Sequence, residues 1–165
     1  MERLTGRFEQ DARALDGLLG VDRCFDMIAR DLAAGGRRCR LYVVDGYGDD
    51  AVIERIVSFL LAQPSTADAA DAQAFIDRYI TFSEVNAECD VEKAVTAVFL
   101  GKTLLLAEGY AEAILLDAKS YPSRGVEEPS SGKVLRGAHD GFIQTLVQNA
   151  ALLRRRIRTP QLTLE

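Results

Sequence analysis

The sequence has no tryptophan, one histidine and only three cysteines among its 165 residues. Cys24, Cys39 and Cys89 are odd in number and widely spaced, so a disulfide framework is not expected and a reducing compartment is favoured. Together with His139 they contain no pair at the short spacing of zinc sites, and a Cys–His nucleophile would require distant segments to meet. We interpret the thiols as core or surface groups.

Long apolar runs are also missing. No segment approaches the ~20 apolar residues that cross a bilayer, and the N-terminus lacks the charged-then-apolar plan of a signal peptide, so we expect the chain as given to be soluble. A formal charge of −5 argues against whole-surface binding to nucleic acid, and no nucleic-acid partner is expected. Length and composition predict a single domain over residues 1–165, with its core at about 20–158.

Motifs for nucleotides, metals and catalysis are absent as well. Neither GxGxxG nor GxxxxGK[ST] occurs, and the nearest segment, Asp45–Asp50, offers carboxylates where a phosphate needs donors. Asp45, Asp49 and Asp50 match no calcium-loop spacing, so a turn followed by a helix cap is the better interpretation. We therefore predict no enzyme, no cofactor and no metal.

Apolar residues at three- and four-residue steps predict four or five helices. The predicted helices cover residues 7–19, those after a cap at Asp49 or Asp50, a stretch ending at Ile80, those after a cap at Asp90, and about 139–157.

Two hairpins are predicted between these helices. Apolar and charged residues nearly alternate over Phe25–Leu32, then Gly35-Gly36 provides a turn before Arg40–Val44, although Phe25–Ala34 is also compatible with a helix. Thr103–Ala107 and 113–117 are apolar on successive residues, which is typical of central strands covered on both faces. The predicted fold is α/β (α+β): a small mixed sheet of about four strands in two hairpins, covered by four to five helices.

Basic residues cluster at the end of the last predicted helix, at Arg154, Arg155, Arg156 and Arg158. Four arginines in five positions must surround the helix, so at least one is expected to point inward and pair with an acid. The candidate acids are Asp117, Glu127 and Glu128. Structural ion pairs are favoured, and contact with another domain or subunit, or attraction to a membrane surface, remain alternatives.

An ordered series of residues runs through the last third of the chain. Its members are Tyr121, Pro122, Arg124, Glu128, Pro129, Arg136, Gly137, Asp140, Gly141, Phe142, Asn149, Arg154, Arg155, Arg156 and Arg158. This series resembles the A-subunit family of spore germinant receptors, closely over residues 117–162 and more loosely over 41–60 and 90–117. Gly35–Arg37, Asp45–Tyr47 and 145–147 are more similar to the stage V sporulation branch of that family than to its nutrient-specific receptor subunits.

The resemblance implies a membrane protein of the spore inner membrane, with this part on the cytoplasmic side. It implies two small soluble subdomains before a multi-spanning region, of which this chain looks like the first, so the membrane is reached through a region absent from this chain. The implied partners are other subunits of the germination complex and further copies of the full-length protein. A non-enzymatic module that supports assembly or signal transmission in an oligomeric ion channel is expected; the alternative is a domain that senses a germinant-like amino acid or sugar in a cleft with the next subdomain.

The matched segment, residues 117–162, is interpreted as a structural element that ties the loop and the last helix to the sheet. Tyr121-Pro122 would give an extended exit from the last strand, and Arg124 and Arg136 offer planar donors for carboxylates or carbonyls. An inward Asn149 would need polar partners.

Overall fold

The computed structural model describes residues 3–119, 145–157, 159 and 161–165. Its helices in these ranges are α1 (Phe8–Leu19), α2 (Asp50–Leu61), α3 (Ala72–Tyr79), α4 (Val91–Phe99) and α5 (Leu146–Ile157). Its strands are β1 (Met27–Ala34), β2 (Arg37–Val44), β3 (Val85–Glu88), β4 (Thr103–Ala107) and β5 (Ala113–Leu116). Each described helix falls short of the length or apolar character that spanning a bilayer requires.

The five strands form one sheet in the order β1-β2-β4-β5-β3, and each named pairing is antiparallel. Both predicted hairpins are confirmed, as β1–β2 and β4–β5, and they join where Leu41 of β2 lies opposite Leu105 of β4. The helical alternative for Phe25–Ala34 is wrong, because a two-residue Gly-Gly turn closes the first hairpin.

The prediction of about four strands in a mixed sheet needs two corrections. A fifth strand, β3, pairs with β5, and the described sheet is antiparallel throughout. The sequence of β3, Val-Asn-Ala-Glu, is short and half polar, and at the sheet edge Asn86 is exposed and the other three side chains are partly buried. Such a segment has no hydrophobic period by which it could be recognised.

Helices cover both faces of the sheet, so the core has two layers. Leu104 and Leu106 pack into the layer beneath α1 and α4, whereas Leu105 packs into the layer beneath α2 and α3. Every residue of β4 and β5 is buried, which explains why both strands are apolar on successive residues. Helix α5 joins the α1 and α4 layer through Ala151.

Polar residues set the helix boundaries. Asp49, not Asp50, caps α2 and accepts from the backbone N–H groups of Ala51 at 3.1 Å and Val52 at 3.2 Å. Asp90 caps α4 as predicted. The last helix was predicted from about residue 139, but α5 begins at Leu146 and Thr145 is not helical. The Thr145 carbonyl accepts from Asn149 N at 3.2 Å, as the residue before a first helical turn does.

The turn of the first hairpin is closely packed against a loop. Gly35 and Gly36 have φ of 54° and 84°, and a two-residue type I′ turn requires positive φ at both positions. A Cβ on Gly35 would lie 2.5 Å from the Ser65 carbonyl carbon and 2.6 Å from Thr66 N. The Thr66 hydroxyl donates to the Ala34 carbonyl at 2.8 Å, so the loop before α3 is fastened to this turn.

Candidate functional site: the Asp26–Arg154 clasp

One arginine of α5 points into the protein. Arg154 is 2% exposed, whereas Arg155 and Arg156 are exposed. Arg154 lies three and four residues after the buried Ala151 and Ala150, and this spacing places all three on the same face of the helix. The expectation that at least one arginine of the cluster is inward is therefore confirmed.

Its partner is Asp26, a fully buried carboxylate 128 residues away in the sequence. Arg154 Nε donates to Asp26 Oδ2, and Nη2 donates to Oδ1 at 2.7 Å, so the guanidinium binds both carboxylate oxygens. The expected acids are not this partner: Asp117 holds Lys119 Nζ at 2.9 Å, and Glu127 and Glu128 lie outside the described residues.

Asp26 is held in place by the end of the first hairpin. Its carbonyl accepts from Asp45 N at 2.7 Å, which extends the β1–β2 pairing one residue beyond Met27 and Val44. The same turn gives α5 its seat, because a Cβ on Gly46 would lie 3.1 Å from Val147 Cγ1 and 3.4 Å from Ala151 Cβ. Gly46, with φ of 79°, therefore allows the helix to approach the sheet end closely.

The C-terminal residues complete the surroundings of the guanidinium. Arg154 Nη1 donates to the Leu162 carbonyl at 3.1 Å, and the Arg154 guanidinium carbon lies 5.2 Å from the centre of the Phe99 ring. Phe25 N donates to the Leu164 carbonyl at 2.9 Å, so the C-terminal residues run beside the segment that carries Asp26. The guanidinium thus joins α5, the sheet end and the C-terminal residues.

Burial and charge act on Arg154 in opposite directions. Burial lowers the pKa of Arg154, but the hydrogen bonds to Asp26 and the attraction of its charge outweigh burial and raise that pKa above its ordinary value. Arg154 therefore remains a cation inside the protein. Removing one partner of such a pair leaves a buried charge without compensation, so the pair fixes how α5 sits on the sheet. We call the Asp26–Arg154 pair the clasp.

The other candidate residues fall into three groups. Asn149 is half-buried on α5, and its role as an inward residue stays a prediction. Asp49 serves as a helix cap, and in 3–119, 145–157, 159 and 161–165 no three His, Cys, Asp or Glu side chains are grouped as metal ligands. The predicted residues that lie outside the described part are Tyr121, Pro122, Arg124, Glu128, Pro129, Arg136, Gly137, His139, Asp140, Gly141, Phe142 and Arg158.

The described cysteines are all free thiols. Cys24 and Cys39 are buried and Cys89 is partly exposed. Cys24 lies beside the clasp, with its sulfur 4.0 Å from the Leu162 carbonyl oxygen. Sequence reasoning missed both this contact and the role of Asp26, since nothing in the local pattern links residues 24–26 to α5.

Known proteins are similar in sequence to this chain over most of its length. Residues 15–165 match the family model described as Bacillus/Clostridium GerA spore germination protein. Stage V sporulation protein AF of Bacillus subtilis is 32% identical over 145 residues, which cover 87% of this chain and 29% of that protein. Spore germination protein B1 of the same species is 34% identical over 147 residues, or 85% of this chain and 29% of that protein. The chain thus spans less than a third of the length of these relatives, and their nearly equal identities leave its branch of the family a prediction.

A solved structure shares the fold. The crystal structure of the N-terminal domain of the A subunit of the Bacillus megaterium spore germinant receptor GerK3 superposes with a TM-score of 0.71 at 16% identity. The match covers 96% of this chain and 57% of that one. With the family model matching almost the whole chain, the sequence and the fold agree: this chain belongs to the GerA family of spore germination proteins.

Proposed function

We propose that this chain is a non-enzymatic module of a spore germination membrane protein, which supports assembly or signal transmission in an oligomeric ion-channel complex. We place it at the spore inner membrane, on the cytoplasmic side. Family membership supplies the context, since the relatives described above are named for sporulation and germination. The observation that carries the proposal is the buried Asp26–Arg154 pair.

The pair makes α5 and the sheet one mechanical unit. Two charges withdrawn from water are favourable only in one geometry, in which both carboxylate oxygens meet the guanidinium. A displacement of α5 would separate Arg154 from Asp26 and leave both charged groups in an apolar surrounding. A displacement of α5 is therefore transmitted to the start of β1, because the helix cannot move independently of the sheet. Rigid transmission of this kind suits an assembly or signalling module.

The outer surface of α5 offers groups for a neighbouring subunit. We define it as the exposed residues Leu146, Arg155, Arg156 and Ile157. Leu146 is 68% exposed, more than any other large apolar side chain among the described residues, and Ile157 is 49% exposed. Arginine is enriched at protein interfaces because its planar donors bind carboxylates in pairs. An acidic and apolar surface of another subunit would complement this combination.

The proposal is tested with Asp26→Asn in the complete membrane protein in spores. We expect less co-purified partner subunit and slower germination, because α5 would no longer be held in one position. Asp22→Asn is the matched control, since Asp22 is an exposed acid of the same loop. Normal amounts of assembled complex in Asp26→Asn, with only a shifted germinant concentration for half-maximal response, would contradict an assembly role and favour sensing.

A further inference from the structure

We propose that residues 161–165 form a strap that detaches from the domain as a unit while the Asp26–Arg154 pair stays closed. The proposal goes beyond the assembly role and does not depend on it, because it concerns the folded chain alone. Detachment would uncover the Cys24 thiol and release the Phe25 N–H, just before the edge strand β1, together. The strap is therefore a conformational device built on top of the clasp.

Within the part of the chain that the structure describes, the strap meets the domain through two backbone carbonyls. The Leu162 carbonyl accepts from Arg154 Nη1 at 3.1 Å and from the Cys24 thiol at 4.0 Å, and the Leu164 carbonyl accepts from Phe25 N at 2.9 Å. Leu162 N donates to the Thr159 carbonyl at 3.3 Å, just before the strap. Leu162 and Leu164 are half-buried, whereas the three alternate side chains of the strap are exposed. None of the strap belongs to a named strand or helix. Segments with few buried contacts and no secondary structure open at a lower free energy than the core.

The clasp does not need the strap to remain closed. Asp26 is bound by Nε and Nη2 of Arg154, whereas Leu162 is bound by Nη1, so the strap and the carboxylate use different donors. The Phe99 ring beneath the guanidinium belongs to α4 and stays when the strap leaves. Loss of the strap therefore frees one N–H group and breaks neither bond of the pair.

Detachment also frees a donor next to an edge strand. Phe25 lies in the turn that precedes β1, the edge strand of the sheet, and its N–H donates to the strap instead of to β2. In the closed state the Leu164 carbonyl occupies this donor. Cys24, which is 7% exposed, lies beneath the Leu162 carbonyl at 4.0 Å. The rate at which Cys24 reacts with a thiol reagent therefore measures how often the strap is detached from the domain.

The test compares two thiols in one molecule. In a Cys89→Ser background, iodoacetamide labelling of Cys24 and Cys39 is followed by mass spectrometry. Cys39 is 0% exposed in β2, so it reacts only when the sheet opens. We expect Cys24 to react at least tenfold faster than Cys39. In a chain shortened to end at residue 160, we expect a further tenfold rise for Cys24 and no change for Cys39.

Two results would overturn the proposal that the strap detaches on its own. Equal rates for Cys24 and Cys39 in the full chain would mean that the C-terminal residues open only with the whole fold. An unchanged Cys24 rate in the shortened chain would mean that they do not cover the thiol. The closed pair is checked separately: the shortened chain should keep its urea midpoint close to that of the full chain, whereas Asp26→Asn should lower it clearly. Equal losses in both would show that strap and pair open together.

Discussion

Asp26→Asn is the substitution that tests the clasp most severely within the folded chain. It keeps the size of the side chain and removes only the charge and one acceptor. The carboxylate is fully buried and binds Arg154 through both oxygens, so water cannot replace the lost interaction. The new amide would also present N–H donors to a guanidinium that can only donate.

The expected loss follows from the burial of both partners. Removing one member of a buried pair costs about 3–5 kcal/mol, because the remaining charge has no compensation. For a domain of this size each kcal/mol lowers the melting temperature by about 2–4 °C, so the expected decrease is about 6–20 °C. Replacing both partners by apolar residues of similar volume, as in Asp26→Leu with Arg154→Met, should recover stability to within about 1 kcal/mol or better.

The assay is urea unfolding of Asp26→Asn, of the single variants Asp26→Leu and Arg154→Met, of their double variant and of the starting protein, followed by circular dichroism. The double-mutant cycle then gives the coupling between positions 26 and 154. If Asp26→Asn lowered the free energy of unfolding by less than about 1 kcal/mol with an unchanged m-value, the pair would not be closed off from water. Simple addition of the two single effects in the double variant would refute direct coupling.

Three further predictions concern other parts of the chain. Gly35→Ala should cost at least about 1 kcal/mol more than Gly36→Ala in urea unfolding, because only the first Cβ meets the 65–66 backbone; equal losses would contradict the close packing. Burial raises the pKa of the Cys39 thiol to about 11, so the folded protein keeps a proton that the unfolded chain loses near pH 8.5. The contribution of Cys39 to stability should be constant below pH ~8.5 and fall by about 3 kcal/mol by pH ~11, and Cys39→Ala should reduce this fall. If the starting protein and Cys39→Ala showed the same pH dependence of stability, the loss at high pH would not come from Cys39. Arg124→Ala and Arg136→Ala should lower thermal stability or oligomer assembly more than any small-molecule binding. An unchanged melting temperature and unchanged assembly in both variants would contradict a structural role for these arginines.

Local signals were sufficient for most of the fold. The Gly35-Gly36 turn and the alternation before it predict β1 and β2, and Asp49 and Asp90 mark helix starts because a short carboxylate can accept from free N–H groups. In contrast, β3 is recognisable only from its pairing with β5. Its four residues carry no period of their own, so tertiary pairing alone makes this segment a strand.

The site was only half predictable. The crowding of arginines around one helix end requires an inward member, and this follows from helix geometry alone. Which arginine is inward depends on the buried face formed by Ala150 and Ala151, and which acid it meets depends on the sheet. Asp26 and Arg154 are 128 residues apart, and no local pattern encodes a contact over that separation. Asp117, a candidate nearer in sequence, pairs with Lys119 instead, and Glu127 and Glu128 lie outside the described residues.

The central claim is that α5, fixed by the clasp, presents its outer surface to another subunit. The most direct measurement places a photo-crosslinking residue at position 155 or 156 in the complete membrane protein, with the same residue at the exposed Glu54 of α2 as control. We expect products that join two subunits from positions 155 and 156, and far fewer from position 54. Products confined to one chain at both positions would contradict the claim and leave the arginines with a purely internal role.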